Sequence, residues 1–225
     1  MKAMVLAAGL GTRLQPITNN RPKALVELGG RTLLEITLSR LKTFGVRDVI
    51  VNVHHFADMV IDYLKANNNF GLHIEISRED VLLDTGGGLK KAGWFFGTNP
   101  DEPFILHNVD VITTIDLRRM MDFHRENQPL ATLAVQDRKT SRYLLFDEQG
   151  RLYGKSPTRD PNFKSLGFSG IHVISPRLLS MLPDEEIFSI TATYLELAAR
   201  GENILGFRAD EYEWKDVGRL ENLKS

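Results

Sequence analysis

Ala3-Met4-Val5-Leu6-Ala7-Ala8-Gly9-Leu10-Gly11-Thr12-Arg13 opens the chain with an apolar run that breaks into a glycine loop. Ala3 to Ala7 leave no polar face, so the run predicts a strand covered on both sides, as in a parallel sheet. A secretory leader is the poorer reading, because the run is brief and Gly11, Thr12 and Arg13 follow at once. Further strands are predicted at Asp48 to Val53, His73 to Ser77 and Phe104 to Leu106. Between them lie helical stretches. Thr32 and Glu35 form a capping-box pattern ahead of Leu34, Leu38 and Leu41, with Gly45 as a stop. Met59, Ile61 and Leu64 mark a second helix, and Leu117 to Phe123 another. Gly86-Gly87-Gly88 reads as a break before a short helix through Leu89, Ala92 and Phe95.

Strands alternate with helices through roughly the first 135 residues. That pattern predicts an α/β fold, Rossmann-like, with a mostly parallel sheet sandwiched by helices. Ligands in such sheets bind beyond the carboxyl ends of the strands. The loop at Gly9, the triglycine and Asp110 all follow strands, so they are expected on one rim. The last third reads differently. Tyr143 to Tyr153 forms a hairpin turning at Gln149-Gly150, and Gly167 to Ile174 a further strand. Ser175-Pro176 starts a helix, and Thr193 to Arg200 forms another. No linker or repeat interrupts the chain, so residues 1–225 are expected to form one domain, with 136–225 a smaller mixed α+β part on the sheet of 1–135.

Bulk properties exclude several classes. The 225 residues carry a formal net charge of -1, so no global field recruits nucleic acid or an anionic membrane. With no cysteine, disulfides, thiolate nucleophiles and thiolate metal sites are excluded. The histidines have no zinc-site spacing, and His54 and His55 would point to opposite faces of a strand. No run is long enough to cross a bilayer, so a cytoplasmic enzyme is expected.

The glycine loop can form a backbone nest for phosphate oxygens, with Arg13 and Lys23 as nearby cations. It is neither of the two well-known phosphate loops. The dinucleotide fingerprint needs a third glycine where Leu14 stands, and the P-loop needs a Gly-Lys-Ser/Thr ending. On its own the loop is equally well a turn with two solvated bases. Leu6 to Pro16, ending in Arg21-Pro22-Lys23-Ala24-Leu25, resembles the signature of the sugar-1-phosphate nucleotidyltransferases. Asp84-Thr85-Gly86-Gly87-Gly88, Asn108-Val109-Asp110, Phe168-Ser169-Gly170-Ile171 and Trp214-Lys215-Asp216-Val217-Gly218 resemble further family segments, in order along the whole chain.

The resemblance implies the nucleotide-diphospho-sugar transferase fold, with a nucleotide-binding core over 1–135 and a sugar-binding cap over 136–225. It implies Mg2+ held by Asp110 and Asp216, and catalytic roles for Arg13 and Lys23. Ala8, Gly9, Gly11, Thr12, Gln15, Asn52, Thr85, Gly86 and Gly87 would line the nucleotide. Asn108, Lys155, Ser169 and Gly170 would meet the sugar phosphate. Phe168 and Trp214 read as core aromatics. Two departures stand out: Val109 replaces the family's usual glycine, adding bulk near the metal, and Gly154-Lys155-Ser156-Pro157 replaces Glu-Lys-Pro. The implied reaction joins a nucleoside monophosphate from a triphosphate to a sugar 1-phosphate, releasing pyrophosphate. UTP with N-acetylmuramate 1-phosphate is the leading pair. GTP with mannose or heptose 1-phosphate, CTP with phosphocholine, or a non-catalytic nucleotide-sugar sensor are the alternatives. The substrates are the expected partners, and a homodimer is compatible with the sequence.

Overall fold

The computed structural model describes residues 1–97 and 101–223. Its strands are β1 (Lys2–Leu6), β2 (Glu27–Leu28), β3 (Arg31–Thr32), β4 (Asp48–Val53), β5 (His73–Arg78), β6 (Phe104–Asn108) and β7 (Val111–Thr113). The second half adds β8 (Ala131–Gln136), β9 (Tyr143–Phe146), β10 (Leu152–Ser156), β11 (Lys164–Ile174), β12 (Ile204–Arg208) and β13 (Trp214–Asp216). The helices are α1 (Leu33–Thr43), α2 (Ala57–Ala66), α3 (Asp84–Ala92), α4 (Leu117–Asn127), α5 (Ile190–Ala199) and a short α6 (Leu220–Leu223).

Nine strands form one sheet in the order β10-β9-β11-β6-β1-β4-β5, with β8 on β11 and β12 on β8. The ladders joining β6, β1, β4 and β5 are parallel, and so is that of β12 with β8. Strand β11 is antiparallel to β6, β8 and β9, and β10 is antiparallel to β9. Only β10 and β11 therefore run against the rest, and the sheet is mostly parallel.

Alternation along β1 shows why its run has no polar face. Ala3 and Val5 point into one core with Leu34, Leu38 and Leu41 of α1, Val60 and Leu64 of α2, and Met120 of α4. Met4 and Leu6 point into the other, with Leu89 of α3 and Tyr194 and Leu197 of α5. Burying side chains on both faces contributes about 1.5–3 kcal/mol for each large apolar residue, which makes β1 the spine of the molecule. Helix α1 begins where the capping pattern predicts: the Glu35 amide donates to Thr32 Oγ1 at 3.1 Å, a cap worth about 1 kcal/mol. Glu35's carboxylate does not close the box; it accepts from Arg31 and Tyr63.

Two local expectations need correction. The triglycine does not interrupt the chain before a helix; it lies inside α3, fully buried. Three glycines should cost a helix about 1 kcal/mol each relative to alanine. Tertiary contacts outweigh that cost. Gly86 and Gly87 donate their amides to the Phe188 carbonyl at 2.9 and 3.2 Å, and the segment ahead of α5 lies so close that side chains would not fit. His54 and His55 are not strand residues, because β4 ends at Val53 and both lie in the turn beyond it.

Candidate active site

The carboxyl ends of β1, β4, β5 and β6 share a rim, because these strands are parallel and in close register. The glycine loop leaves β1 there and folds back on itself. Gly11 has a left-handed backbone, with φ of 68°, which favours glycine. Thr18 Oγ1 donates to the Gly11 carbonyl at 2.8 Å. A side chain on Gly11 would also collide, since its Cβ would lie 2.9 Å from Thr18 Cγ2 and 3.1 Å from Lys23 Cβ. The fold-back carries Lys23 across the rim.

Lys23 Nζ donates to Asp110 Oδ2 at 2.9 Å, with both side chains largely buried. Arg13 Nη1 stands 3.8 Å from Asp216 Oδ2. The two expected cations are therefore paired with the two expected metal carboxylates. Both pairs meet at Gly218. A Cβ there would lie 2.5 Å from Asp110 Oδ2, 2.9 Å from Asp216 Oδ1 and 3.1 Å from Arg13 Nη2. Asp110 reaches this point just past β6, and Asp216 at the end of β13, which pairs with β7. The Val217 amide donates to the Asp110 carbonyl at 2.9 Å, and the Gly218 amide to Asp216 Oδ1 at 2.9 Å. Backbone thus ties together carboxylates that are far apart in sequence. Among the described residues no group of three or more His, Asp or Glu could hold a metal. A cation bound here would rest on two carboxylates and on ligand oxygens, as magnesium does.

The other predicted residues divide into three sets. Ala8 is buried, whereas Gly9, Thr12 and Gln15 are exposed on the loop, and Gly9 faces the Lys23 ammonium. Asn108 and Gly170 adjoin: a Cβ on Gly170, whose φ is 74°, would lie 3.0 Å from Asn108 Nδ2. The second set holds the frame. Asn52 is buried, accepts from the Ala7 amide at 2.7 Å and donates to Glu79 Oε1 at 2.7 Å. Glu79 in turn accepts from the Leu83 amide, so these groups lock β1, β4 and the start of α3. The clearance at Gly86 and Gly87 is filled by Phe188 and the Glu186 carbonyl, and Thr85 Oγ1 accepts from the Ile190 amide at 3.1 Å. Ser169 is wholly buried beside Gln136, and its carbonyl accepts from Trp214 Nε1 at 2.8 Å. Third, Lys155 is exposed on the edge strand β10. Val109 does not crowd the carboxylates, because its side chain is buried in the core with α1 and α4.

Three residues at the site lie outside the set expected from the sequence: Glu79, Gly218 and Arg138. Gly218 lies in a family-like segment, and Glu79 could have been flagged as an acid at the mouth of a strand. Arg138 has no such signal. Its guanidinium stacks 3.8 Å from the centre of the Trp214 ring, and Nη2 donates to the Phe168 carbonyl at 2.6 Å. Burial lowers its pKa from the ordinary value, while the nearby Asp216 carboxylate acts in the opposite direction. Trp214 is therefore only half-buried, packing one side on the core and offering the other to Arg138.

Buried histidines flank the rim without entering it. His107 Nδ1 donates to the Asn108 carbonyl at 2.8 Å, and burial lowers its pKa to about 4. His172, against Tyr194, is lowered by burial to about 3. Both are neutral core groups at ordinary pH.

The nucleotidyl transferase family profile matches residues 2–225. The chain belongs to that family. The transferase is 36% identical over 230 residues to the N-acetylmuramate alpha-1-phosphate uridylyltransferase of Caulobacter vibrioides, covering 96% of this chain and 91% of that protein. It is 28% identical to the UTP–glucose-1-phosphate uridylyltransferase of Synechocystis sp. and 30% identical to the mannose-1-phosphate guanyltransferase of Yarrowia lipolytica. The transferase spans only 61% and 62% of those two proteins, though 98% and 100% of its own length aligns. Its fold matches that of HddC from Yersinia pseudotuberculosis in complex with GMP-PN, with a TM-score of 0.80 at 21% identity over 99% of this chain and 96% of that one. A UDP-glucose pyrophosphorylase from Acinetobacter baumanii matches with a TM-score of 0.81 at 18% identity, over 99% and 90% of the two chains. Among the described residues no helix is long and apolar enough to cross a membrane.

Proposed function

We propose that the chain transfers a uridylyl group from UTP to N-acetylmuramate 1-phosphate, forming the UDP-sugar and releasing pyrophosphate. The observation that carries the reaction class is the meeting of Lys23–Asp110 and Arg13–Asp216 at Gly218, on the rim where the glycine loop ends. Support for the substrate pair comes from the Caulobacter relative, which aligns over nearly the full length of both chains.

The chemistry is an in-line displacement. An oxygen of the sugar phosphate bonds to the α-phosphorus, and the bond from that phosphorus to the bridging oxygen of pyrophosphate breaks, with the electron pair leaving on pyrophosphate. The attacking phosphate is already anionic near neutral pH, so no general base is required. The protein's task is positioning and offsetting negative charge. Lys23, swung from Asp110, would meet the α-phosphate and the incoming phosphate. Arg13 and the amides of Gly9 to Arg13 would take charge that builds on the leaving pyrophosphate. Asp110 and Asp216 fit magnesium, being hard oxygen donors that face one point. When bound, the metal supplies charge neutralisation across the phosphates.

The test is magnesium-dependent pyrophosphate release across a grid of triphosphates and sugar 1-phosphates. UTP with N-acetylmuramate 1-phosphate should give the highest kcat/KM. Lys23→Ala and Asp110→Asn should each lose at least 100-fold in turnover, roughly what one charge-stabilising group contributes, while remaining folded by circular dichroism. Near-normal rates in either variant would remove the catalytic assignment. Preference for GTP with mannose 1-phosphate would remove the substrate assignment.

A further inference from the structure

Most half-exposed arginines in this chain have a carboxylate in contact. Arg31, Arg78, Arg119, Arg151, Arg177 and Arg208 each form an ion pair. Arg138 has none among the described residues. A guanidinium carries five N–H donors. In Arg138, Nη2 meets the Phe168 carbonyl and Nε is buried with no acceptor. Nε is pressed against Gly167, where a Cβ would lie 2.9 Å away. The remaining Nη donors meet no protein acceptor among the described residues. A partly desolvated cation left in this state gains from an arriving anion.

The fold directs this cation toward the site. Gln136 ends β8 opposite Gly167 of β11. Strand β8 runs the same way as β6, so the loop over 137–142 leaves the sheet on the rim that holds Asp110. The loop reads Asp137-Arg138-Lys139-Thr140-Ser141-Arg142. Its one acid, Asp137, is already paired with Arg159. Arg138 also lies close enough to Asp216 to feel its charge. The Trp214 stack and the Phe168 carbonyl fix the guanidinium plane, so the fork is held in place before any ligand binds.

We propose that Arg138 is the specificity-determining residue that reads a carboxylate on the sugar, distinguishing a carboxylated sugar 1-phosphate from a neutral one. This rests on the proposed sugar 1-phosphate reaction. The 1-phosphate has Lys23 and the metal carboxylates with their cation to receive it. Arg138 offers a second anion on the sugar ring a cation whose plane the protein already fixes. A planar fork suits a carboxylate, which can accept two parallel hydrogen bonds.

The experiment compares N-acetylmuramate 1-phosphate with N-acetylglucosamine 1-phosphate, which lacks the carboxylate, in wild type, Arg138→Met and Arg138→Lys. Wild type should favour the carboxylated sugar in kcat/KM. Arg138→Met should cut the ratio of the two kcat/KM values by about 10- to 100-fold, the span of a lost charge-assisted hydrogen bond. The loss should fall mainly in KM for the carboxylated sugar, and Arg138→Lys should restore part of the ratio. Equal losses on both sugars would overturn the proposal and leave Arg138 as a prop for Trp214. If Arg138→Met fails to fold, Arg138→Gln, which is polar and keeps two N–H donors without the charge, takes its place with the same expectation. Wild type favouring the neutral sugar would sink the substrate reading itself, an outcome separate from equal losses in the variant.

Discussion

A single methyl group at Gly218 should disable the site with little cost to the fold. The backbone there does not require glycine, and alanine keeps the amide that donates to Asp216 Oδ1. What alanine cannot keep is the space. Its Cβ would lie 2.5 Å from Asp110 Oδ2 and 2.9 Å from Asp216 Oδ1, where ordinary contact begins near 3.4 Å. Carboxylate ends can swing aside, so relief should come from the side chains, with Asp110 Oδ2 displaced by roughly 0.9 Å. The folded state should lose little, about 1 kcal/mol or less, since the strained atoms are side-chain termini and alanine stiffens the unfolded chain. Catalysis is less forgiving, because a misplacement of about 1 Å can cost on the order of 100-fold. That corresponds to about 2.7 kcal/mol in transition-state stabilisation. Pyrophosphate release and thermal unfolding measured on one preparation give both numbers. Gly218→Ala with kcat/KM within threefold of wild type would show that the carboxylates do not work from the positions described. A lowered midpoint in proportion to the lost activity would show that the effect is one of folding.

Two further substitutions or conditions test the frame. In Gly87→Ala the new Cβ would sit 2.1 Å from the Glu186 carbonyl; overpacking of about 1–3 kcal/mol should exceed the roughly 1 kcal/mol gained in helix propensity. A higher unfolding midpoint for this variant would mean that the segment over 186–188 is not the restraint on α3. Acid should also weaken the fold in a defined window. Burial holds His107 and His124 at about 4 and His172 at about 3, while the unfolded chain titrates near 6.5. The unfolded state therefore binds more protons below pH 6.5, so stability is complete above that value and falls as the pH drops toward 4. Each such histidine should contribute up to about 1.4 kcal/mol per pH unit. Urea midpoints that stay level from pH 7 to pH 5 would contradict this.

Much of the fold could be read because burial leaves a plain trace. β1 lacks a polar face since it has a core on each side, and the rim follows from parallel strands whose following loops carry Gly9 and Asp110. The capping threonine of α1 is a local signal, and local signals survive folding. α3 was hidden for the opposite reason. Its glycines speak for a break, and the helix exists because a segment a hundred residues later supplies the Phe188 carbonyl and fills the clearance. Family resemblance named Arg13, Lys23, Asp110 and Asp216, but their mutual pairing is a tertiary feature, since β13 brings Asp216 to the rim by adding to a three-residue strand. Asn52, which the resemblance places along the nucleotide, also has a structural part that its residue type does not reveal: its amide joins the Ala7 amide to the Glu79 carboxylate. Arg138 follows no periodicity at all, and the stack on Trp214 and the bond to the Phe168 carbonyl give it a place.

Strand β11 has a mechanical consequence. It runs eleven residues without interruption. Its last four pair with β6 in the first half of the chain and its first four with β9 in the second. Any swing of one half against the other would have to bend or unzip this shared girder, whose one irregularity lies between Phe168 and His172. Clamshell opening is thereby disfavoured. Ligands should enter and leave through the give of the rim loops, the glycine loop on one bank and the loop over 137–142 on the other, while the floor beneath them stays still.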